Sequence, residues 1–434
     1  MKLAEIFGDH MVLQRDKEIC LFGYGKGKIE VEFCGEKFSF TSDTDCFRVY
    51  LPSYPAGGPY EMKVILDGDE RIIKDIMIGD VYIAGGQSNM EFCLKYTADI
   101  EYTDNQNIRF FTEPNNAEED GTPVKYSADW FICEGKAVDN FSAIGYYFSV
   151  KLQKHTNVPI GIVSCSKGAS RVDAWTAPEF VETDEYQKMV AVKHNDYNVY
   201  KFNHNSWLYK NKLLNIVPFA NSGVLWYQGE SNRRRDEAIY YAKMLEIMIK
   251  NWRKLWNSNL PFYCVQIMPC NEPETVSDWA IIRHQQELVS KTVDNAYLVT
   301  LVDTGEKELL HPEKKKKVSY ALANAVRNVQ FKENIEYCGP VLENYRKIEN
   351  GIELIFSHAD GLHIKGENLL DTYIYDENNE QLPLSFVIEE NRLKLCWKPN
   401  NEPNRLALGY NNAPMHNLYN SSDYLASPFE LILE

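Results

Sequence analysis

The stretch from Asp80 to Glu91, which reads DVYIAGGQSNME, most constrains how this chain can fold. Its apolar part, Val81 to Ala84, is rich in β-formers, and Gly85 and Gly86 then remove two side chains. This order predicts a buried strand that ends in a tight turn and presents Ser88 at the start of a helix. Glycines let a substrate approach the backbone, and a helix N-terminus offers N–H donors to a developing oxyanion. Ser88 is therefore a candidate nucleophile, and the alternative is an ordinary turn with a capping serine.

Apolar strands alternate with helical segments through the middle of the chain, which is typical of a parallel sheet covered by helices on both faces. The expected strands are Val81 to Ala84, Ile108 to Phe111, Ile160 to Ser164, Gly223 to Tyr227, Phe262 to Ile267 and Ala296 to Val302. Helices are expected from Ile239 to Trp256 and from Pro312 onwards. Sites in such sheets lie at the carboxyl ends of the strands, where Ser88 would lie. The irregular segments Glu113 to Phe141 and Thr183 to Asn205 are expected to be loops near the mouth of this site.

The regions on either side have the period-two alternation of β-strands. Near the start, Ile29, Val31 and Phe33 alternate with polar residues, and a similar pattern returns near the end. Short strands with turn signals predict an N-terminal sandwich or jelly roll. The expected domains are an N-terminal β-domain over residues 1–78, a catalytic domain over residues 79–335 and a β-rich C-terminal region over residues 336–434.

Charge and cysteine content exclude several function classes. With 46 Lys and Arg against 62 Asp and Glu, the net charge of -16 argues against a nucleic-acid partner. No apolar run approaches a membrane span and no signal-peptide pattern opens the chain, so no membrane partner is expected. The ten cysteines include no C-x-x-C pair, which favours free thiols in a reducing cytoplasm. No metal-ligand spacing, P-loop or dinucleotide fingerprint occurs, so no metal or cofactor is expected, and the oligomeric state stays open.

The run GQSNME after an apolar strand resembles the nucleophile block of the sialate O-acetylesterase family, which are carbohydrate acetylesterases of the SGNH-hydrolase superfamily. The resemblance implies that Ser88 is the nucleophile. It also implies a fold other than the α/β-hydrolase fold, whose G-x-S-x-G motif has glycine where this chain has Met90. The expected fold class is therefore α/β, with a flavodoxin-like parallel sheet sandwiched by helices and with accessory β-regions.

A second block, from Gly161 to Trp175, also follows a predicted strand. In the family this block has serine, tryptophan and two glycines, whereas Lys167 and Ala169 here replace the tryptophan and the second glycine. Gly168 keeps its place, and a glycine after a strand lets a backbone N–H point into a site, so Gly168 is the candidate oxyanion donor. Arg171 is a candidate partner for a substrate carboxylate, with a structural salt bridge as the alternative.

A third block, WYQGESN from Trp226 to Asn232, is close to the family's signature. A side-chain amide aimed into a site can donate to an oxyanion, so Gln228 and Asn232 are both candidates. The family pattern favours Gln228. Glu230 is expected to hold the loop as a hydrogen-bond acceptor.

The fourth block supplies the base that a serine nucleophile needs. His311 follows a late apolar strand, precedes Pro312 and the expected amphipathic helix, and resembles the family's catalytic histidine. SGNH enzymes place an aspartate three residues before this histidine, and this chain has Glu308 there. Asp303 is the fallback for the orienting acid, and a Ser-His dyad supported by a backbone carbonyl is a third option.

The resemblance implies a serine esterase that removes O-acetyl groups from a sugar, with O-acetylated sialic acid as the expected substrate. Acetylated xylan or another plant glycan is the rival substrate, and a lipase or thioesterase is disfavoured because no long apolar lid is evident. A catalytically inactive carbohydrate-binding protein is the alternative from another class. Arg283 and Gln286 match a family Arg-x-x-Gln segment and are expected to be structural or pocket-lining.

Overall fold

The computed structural model describes residues 1–114, 128–190, 200–273, 278–300, 302–399 and 402–433. The chain forms two compact units, each made of two segments. The first comprises Met1–Gln228 and Met244–Tyr263, and the second comprises Gly229–Lys243 and Cys264–Glu434. The architecture is mixed α/β, with a mostly parallel sheet and additional β-rich regions.

The strands up to the middle of the chain are β1 (Lys2–Leu3), β2 (Val12–Gln14), β3 (Ile19–Tyr24), β4 (Gly27–Phe33), β5 (Glu36–Ser42), β6 (Cys46–Leu51), β7 (Gly57–Leu66), β8 (Asp69–Gly86), β9 (Asn105–Thr112), β10 (Phe131–Cys133), β11 (Ile160–Ser166), β12 (Gly223–Tyr227) and β13 (Phe262–Val265). The helices of the described residues are α1 (Ser88–Glu91), α2 (Ala143–Thr156), α3 (Pro178–Val181), α4 (Asp184–Met189), α5 (Trp207–Asn211), α6 (Arg235–Ala238), α7 (Tyr241–Trp256), α8 (Trp279–Thr292) and α9 (Lys316–Phe331). The later strands are β14 (Ala296–Val299), β15 (Val341–Ile348), β16 (Gly351–Ser357), β17 (His363–Ile364), β18 (Thr372–Tyr375), β19 (Gln381–Leu382), β20 (Ser385–Glu389), β21 (Arg392–Cys396), β22 (Arg405–Leu408), β23 (Leu418–Tyr419) and β24 (Phe429–Ile432).

The parallel sheet lies in the first unit. Its strand order is β10-β9-β11-β8-β12, and β9, β11, β8 and β12 run parallel while β10 pairs antiparallel at the edge. Ser166 at the end of β11 and Tyr227 at the end of β12 both pair with Gly86 at the end of β8. The carboxyl ends of three neighbouring strands therefore meet at one edge, as the sequence predicted.

One long strand, β8, joins the N-terminal β-region to this sheet. Its first part pairs antiparallel with β7, and residues 80–86 pair parallel with β11. Its burial changes from mixed to continuous from Ile76 onwards, because a parallel strand is covered on both faces. The expected domain boundary at residues 78/79 falls inside this strand, so the two regions share a backbone element.

The second unit contains most of the remaining β-structure. Two antiparallel sheets, β15-β16-β21-β20 and β19-β18-β22-β24, share one hydrophobic core that includes Leu354, Leu393 and Leu406. The β alternation expected near the end of the chain is confirmed, because Ile352, Leu354 and Phe356 lie buried in that core. The expected boundary at residues 335/336 lies between α9 and β15.

Two helix boundaries were predicted incorrectly. The last helix begins at Lys316 and not at Pro312, and Ile239 lies exposed before α7. The run of four lysines from Lys314 to Lys317 explains the first difference, since positive charges disfavour a helix N-terminus and the apolar face begins only at Val318. The expected loop segments contain β10 and α4, while residues 115–127 and 191–199 lie outside the described residues.

Candidate active site

The nucleophile candidate lies on the predicted strand-turn-helix. Gly86 has a φ of 129°, and a Cβ there would lie 2.1 Å from the carbonyl oxygen of Tyr227, so the turn requires glycine. The next amide, that of Gln87, donates to the same oxygen at 2.9 Å. Helix α1 then begins at Ser88, which is partly exposed between the buried Gln87 and Asn89. The fold thus presents this hydroxyl at the carboxyl edge of the sheet.

Gly168 lies beside Ser88. A Cβ on Gly168 would be 3.6 Å from the Cβ of Ser88. The Gly168 N–H, the candidate oxyanion donor, donates to Oε2 of Glu91 at 2.5 Å. Sequence reasoning missed Glu91, although it ends the GQSNME run and lies one helical turn beyond Ser88, where i and i+3 side chains are neighbours.

The loop that carries Gly168 is fixed at both ends. The Lys167 N–H donates to Gly86 O at 3.0 Å, so the loop starts on the nucleophile turn. Further along, Asn203 donates to Ala169 O at 2.8 Å and accepts from the Arg171 N–H at 3.0 Å. Asn203 was also missed, because it lies in an irregular segment with no pattern to mark it.

Arg171 is engaged by a neighbour within the same unit. Its Nε lies 3.2 Å from Oδ1 of Asp173, and both side chains are buried. This placement favours a structural salt bridge as the role of Arg171 over the binding of a substrate carboxylate. The pair lies on the short 3-10 turn Val172–Trp175 and its preceding residue.

Both amide candidates hold loops. The buried Gln228 donates through Nε2 to Gln87 Oε1 at 3.2 Å and to Ser170 O at 3.0 Å, so it connects the ends of β8, β11 and β12. In the second unit, the buried Asn232 donates to Oε1 of Glu237. Their role toward an oxyanion stays a prediction.

His311 lies in the segment before α9, in the second unit. Burial lowers the pKa of its imidazole, and the charge of Lys315 lowers it further. Lys315 is itself 2% exposed, and burial lowers the pKa of its ammonium group to about 7 against the attraction of Glu230. A depressed pKa keeps His311 neutral near pH 7, which is the form a general base requires.

Neither candidate for the orienting acid, Glu308 or Asp303, contacts His311 within the described residues. Glu308 is exposed, and within the described residues no hydrogen bond or ion pair joins it to His311. The spacing of three residues would bring them together on a helix, but the helix begins only at Lys316. Asp303 accepts from Lys317 Nζ at 2.7 Å instead. The structure therefore gives neither carboxylate an orienting contact.

The Arg-x-x-Gln pair on α8 is structural. Arg283 is fully buried and donates to the carbonyl oxygen of Met268 at 3.1 Å. Gln286 donates to Val265 O at 3.1 Å and accepts from the Ile267 N–H at 2.9 Å. Both side chains thus fix the backbone that follows β13.

The described residues contain neither a metal-binding cluster nor a helix that could cross a membrane. No group of three or more His, Cys, Asp or Glu side chains is arranged there to hold a metal ion. None of the helices in these ranges is both long and apolar enough to span a bilayer.

Comparisons with known proteins give a consistent picture. The profile of the family described as "Carbohydrate esterase, sialic acid-specific acetylesterase" matches residues 78–327, more than half of the chain. Sialate O-acetylesterase of Pongo abelii is 23% identical over 341 residues, which are 70% of this chain and 64% of that protein. The Rattus norvegicus enzyme is 24% identical over 411 residues, covering 78% of this chain and 76% of that protein. The chain thus spans less than two thirds of the length of the Pongo abelii relative.

A solved structure matches along the whole length. The crystal structure of a carbohydrate acetylesterase from Xanthomonas citri has a TM-score of 0.87 and 27% sequence identity, and the match covers 100% of both chains. The mixed α/β architecture and the added β-rich regions are therefore shared with that protein.

Proposed function

We propose that this chain, which belongs to the sialic acid-specific acetylesterase family of carbohydrate esterases, is a serine esterase that removes O-acetyl groups from sugars. One observation carries the proposal. Ser88 is presented at the carboxyl edge of the parallel sheet, with the backbone of Gly168 beside it. A hydroxyl next to a backbone N–H is the arrangement that acyl transfer from an ester requires.

In the proposed reaction, Ser88 attacks the acetyl carbonyl and the sugar leaves as its alcohol. His311 takes the hydroxyl proton and passes it to the leaving oxygen, and it then activates the water that releases acetate. The N–H groups of Ser88 and Gly168, with Gln228, are the proposed donors to the oxyanion. Because Glu308 is exposed, a Ser-His dyad is the simpler form of this proposal.

We also propose that the parallel sheet has the SGNH-hydrolase fold. A flavodoxin-like SGNH sheet is supported by the parallel order β9-β11-β8-β12 and by the serine that follows β8. Catalytic blocks that end successive parallel strands are what such a sheet would bring together.

The substrate is proposed to be an O-acetylated sugar, with sialic acid favoured by family membership. A neutral acetylated glycan is the second candidate, and two observations favour it. Arg171 is paired with Asp173 in the interior, and Glu91 places a carboxylate next to Ser88. Both features disfavour an acidic sugar close to the nucleophile, because like charges repel. A carbohydrate-binding protein without activity is the remaining alternative.

The experiment is acetate release from O-acetylated sialic acids, acetyl-xylo-oligosaccharides and 4-nitrophenyl acetate. We expect hydrolysis of at least one sugar class by the wild type and none by Ser88→Ala. Ser290→Ala is the matched control, since among the described residues this half-buried serine donates only to a backbone carbonyl on α8. Equal rates in the wild type and Ser88→Ala, or no release from any sugar, would contradict the proposal.

We also propose a reducing, cytoplasmic location. All ten cysteines are free thiols, and burial raises the pKa of the Cys165 and Cys338 thiols to about 12, so these two stay protonated and unreactive. Immunoblots of cell fractions, with thiol alkylation before lysis, test this location. Recovery of the native protein in an oxidised form outside the cell would contradict it.

A further inference from the structure

The contact between Glu91 and Gly168 has a consequence for the proposed reaction. The Gly168 N–H donates to the Glu91 carboxylate at 2.5 Å, and a Cβ on Gly168 would lie 3.0 Å from the same oxygen. Gly168 also adjoins Ser88, with its added Cβ 3.9 Å from the Ser88 Cα. A negatively charged oxygen thus already accepts the N–H next to the nucleophile.

A carboxylate oxygen resembles the oxyanion of an ester tetrahedral intermediate, since each is a negatively charged acceptor. One N–H cannot make a full hydrogen bond to both. Hydrogen bonds to ionised acceptors are roughly twice as strong as those between neutral groups. A substrate oxyanion must therefore displace Glu91 or share its donor, and the Glu91 charge would also repel it.

We propose that Glu91 is a resident ligand of the Gly168 oxyanion donor. In the free enzyme its carboxylate holds the Gly168 N–H toward Ser88, and it releases this N–H when the acetyl carbonyl becomes an oxyanion. The inference rests on the proposed function, because it requires an ester that acylates Ser88. It adds a residue that sets how strongly the site stabilises the transition state.

Three further hydrogen bonds hold the backbone on both sides of this contact. On either side of Gly168, the Lys167 N–H and the Ser170 hydroxyl donate to Gly86 O at 3.0 and 3.2 Å. The loop therefore stays in place when the Glu91 carboxylate releases the Gly168 N–H. Glu91 is itself held at its backbone, whose N–H donates to Gln87 O at 2.9 Å. Only the Glu91 side chain needs to move.

Glu91→Gln is the direct test, because the amide keeps the shape and an acceptor oxygen but loses the charge. We expect kcat/KM for a neutral acetyl ester to rise about 3- to 10-fold, since a neutral acceptor releases the N–H more readily. Inhibition by methylboronic acid, which forms an anionic tetrahedral adduct with a nucleophilic serine, should tighten by a similar factor. Glu91→Asp, which withdraws the carboxylate from Gly168, should tighten boronate binding to a lesser extent.

Glu179→Gln, at an exposed position of α3, is the control for the change in net charge, and it should leave both quantities unchanged. Unchanged or reduced kcat/KM together with unchanged boronate inhibition in a folded Glu91→Gln protein would overturn the inference and leave the esterase proposal intact. If the wild type shows no Ser88-dependent hydrolysis, the proposed function fails and this inference falls with it.

Discussion

Replacing Lys315 with methionine should stabilise the protein. Lys315 is 2% exposed, and its carbonyl oxygen accepts from the Ser319 N–H at 3.2 Å at the start of α9, a backbone contact that methionine keeps. A cation at this end of a helix also opposes the helix dipole. Methionine has a similar length and no charge, so it removes the cost of burying the ammonium group.

The magnitude follows from the pKa of Lys315, which falls from its ordinary value of 10.5 to about 7 in the folded protein. Each unit of difference between folded and unfolded pKa corresponds to about 1.4 kcal/mol, so the cost of the charge is about 5 kcal/mol. This figure already includes the attraction of Glu230. The cost is fully present below pH 7, where the lysine is charged in both states. It shrinks as the pH rises from 7 to 10.5, because the folded protein then binds fewer protons than the unfolded chain.

Denaturant unfolding of the wild type and Lys315→Met at pH 6 and pH 10 measures this difference. We expect a gain of about 3–5 kcal/mol in the free energy of unfolding at pH 6 and a much smaller gain at pH 10. Lys314→Met, at an exposed position of the same run, should change the free energy by less than about 0.5 kcal/mol. A Lys315→Met protein that is no more stable than the wild type at pH 6 would refute the reasoning, as would a gain that does not depend on pH.

Three further predictions concern activity and folding. The acid limb of the kcat/KM profile should lie below pH 6.5, the ordinary pKa of histidine, because burial and Lys315 lower the pKa of His311. Lys315→Met should move this limb to higher pH, since the lysine is charged where His311 titrates. A pH–rate profile whose acid limb does not move in Lys315→Met would contradict this prediction. Gly86→Ala should lower the free energy of unfolding by more than about 3 kcal/mol, because its Cβ would meet a carbonyl oxygen at 2.1 Å, and a melting temperature equal to that of the wild type would contradict this. Arg171→Gln should lower the free energy of unfolding by about 3–5 kcal/mol, because it leaves the buried Asp173 without its cation. In a double-mutant cycle, adding Asp173→Asn to Arg171→Gln should recover part of that loss.

The parts of the fold that the sequence predicted are those with a strong local pattern. Gly223 to Tyr227 is an apolar run between breakers, and it is the strand β12 with those bounds. The Gly-Gly pair before Ser88 predicted a turn because only glycine tolerates its backbone and its close neighbour. The position of Gly168 beside Ser88 followed from the pairing of β11 with β8.

The parts that the sequence did not predict depend on contacts between distant residues. Nothing in the pattern around Glu91 shows that its carboxylate reaches Gly168, because that contact is set by the packing of α1 against the loop that follows β11. The exposure of Glu308 depends on where α9 starts, and charge at a helix end shifts that start by a few residues. Asn203 lies in a segment without periodicity, so its role is visible only from its two backbone partners.

Covalent labelling with a fluorophosphonate tests most directly whether Ser88 is the nucleophile of an esterase. Peptide mapping by mass spectrometry should place the label on Ser88, and hydrolysis of the acetylated sugar should disappear at the rate of labelling. His311→Ala should slow the labelling strongly, because the hydroxyl then lacks its proposed base. A label on another residue, or hydrolysis that persists in fully labelled protein, would contradict the account.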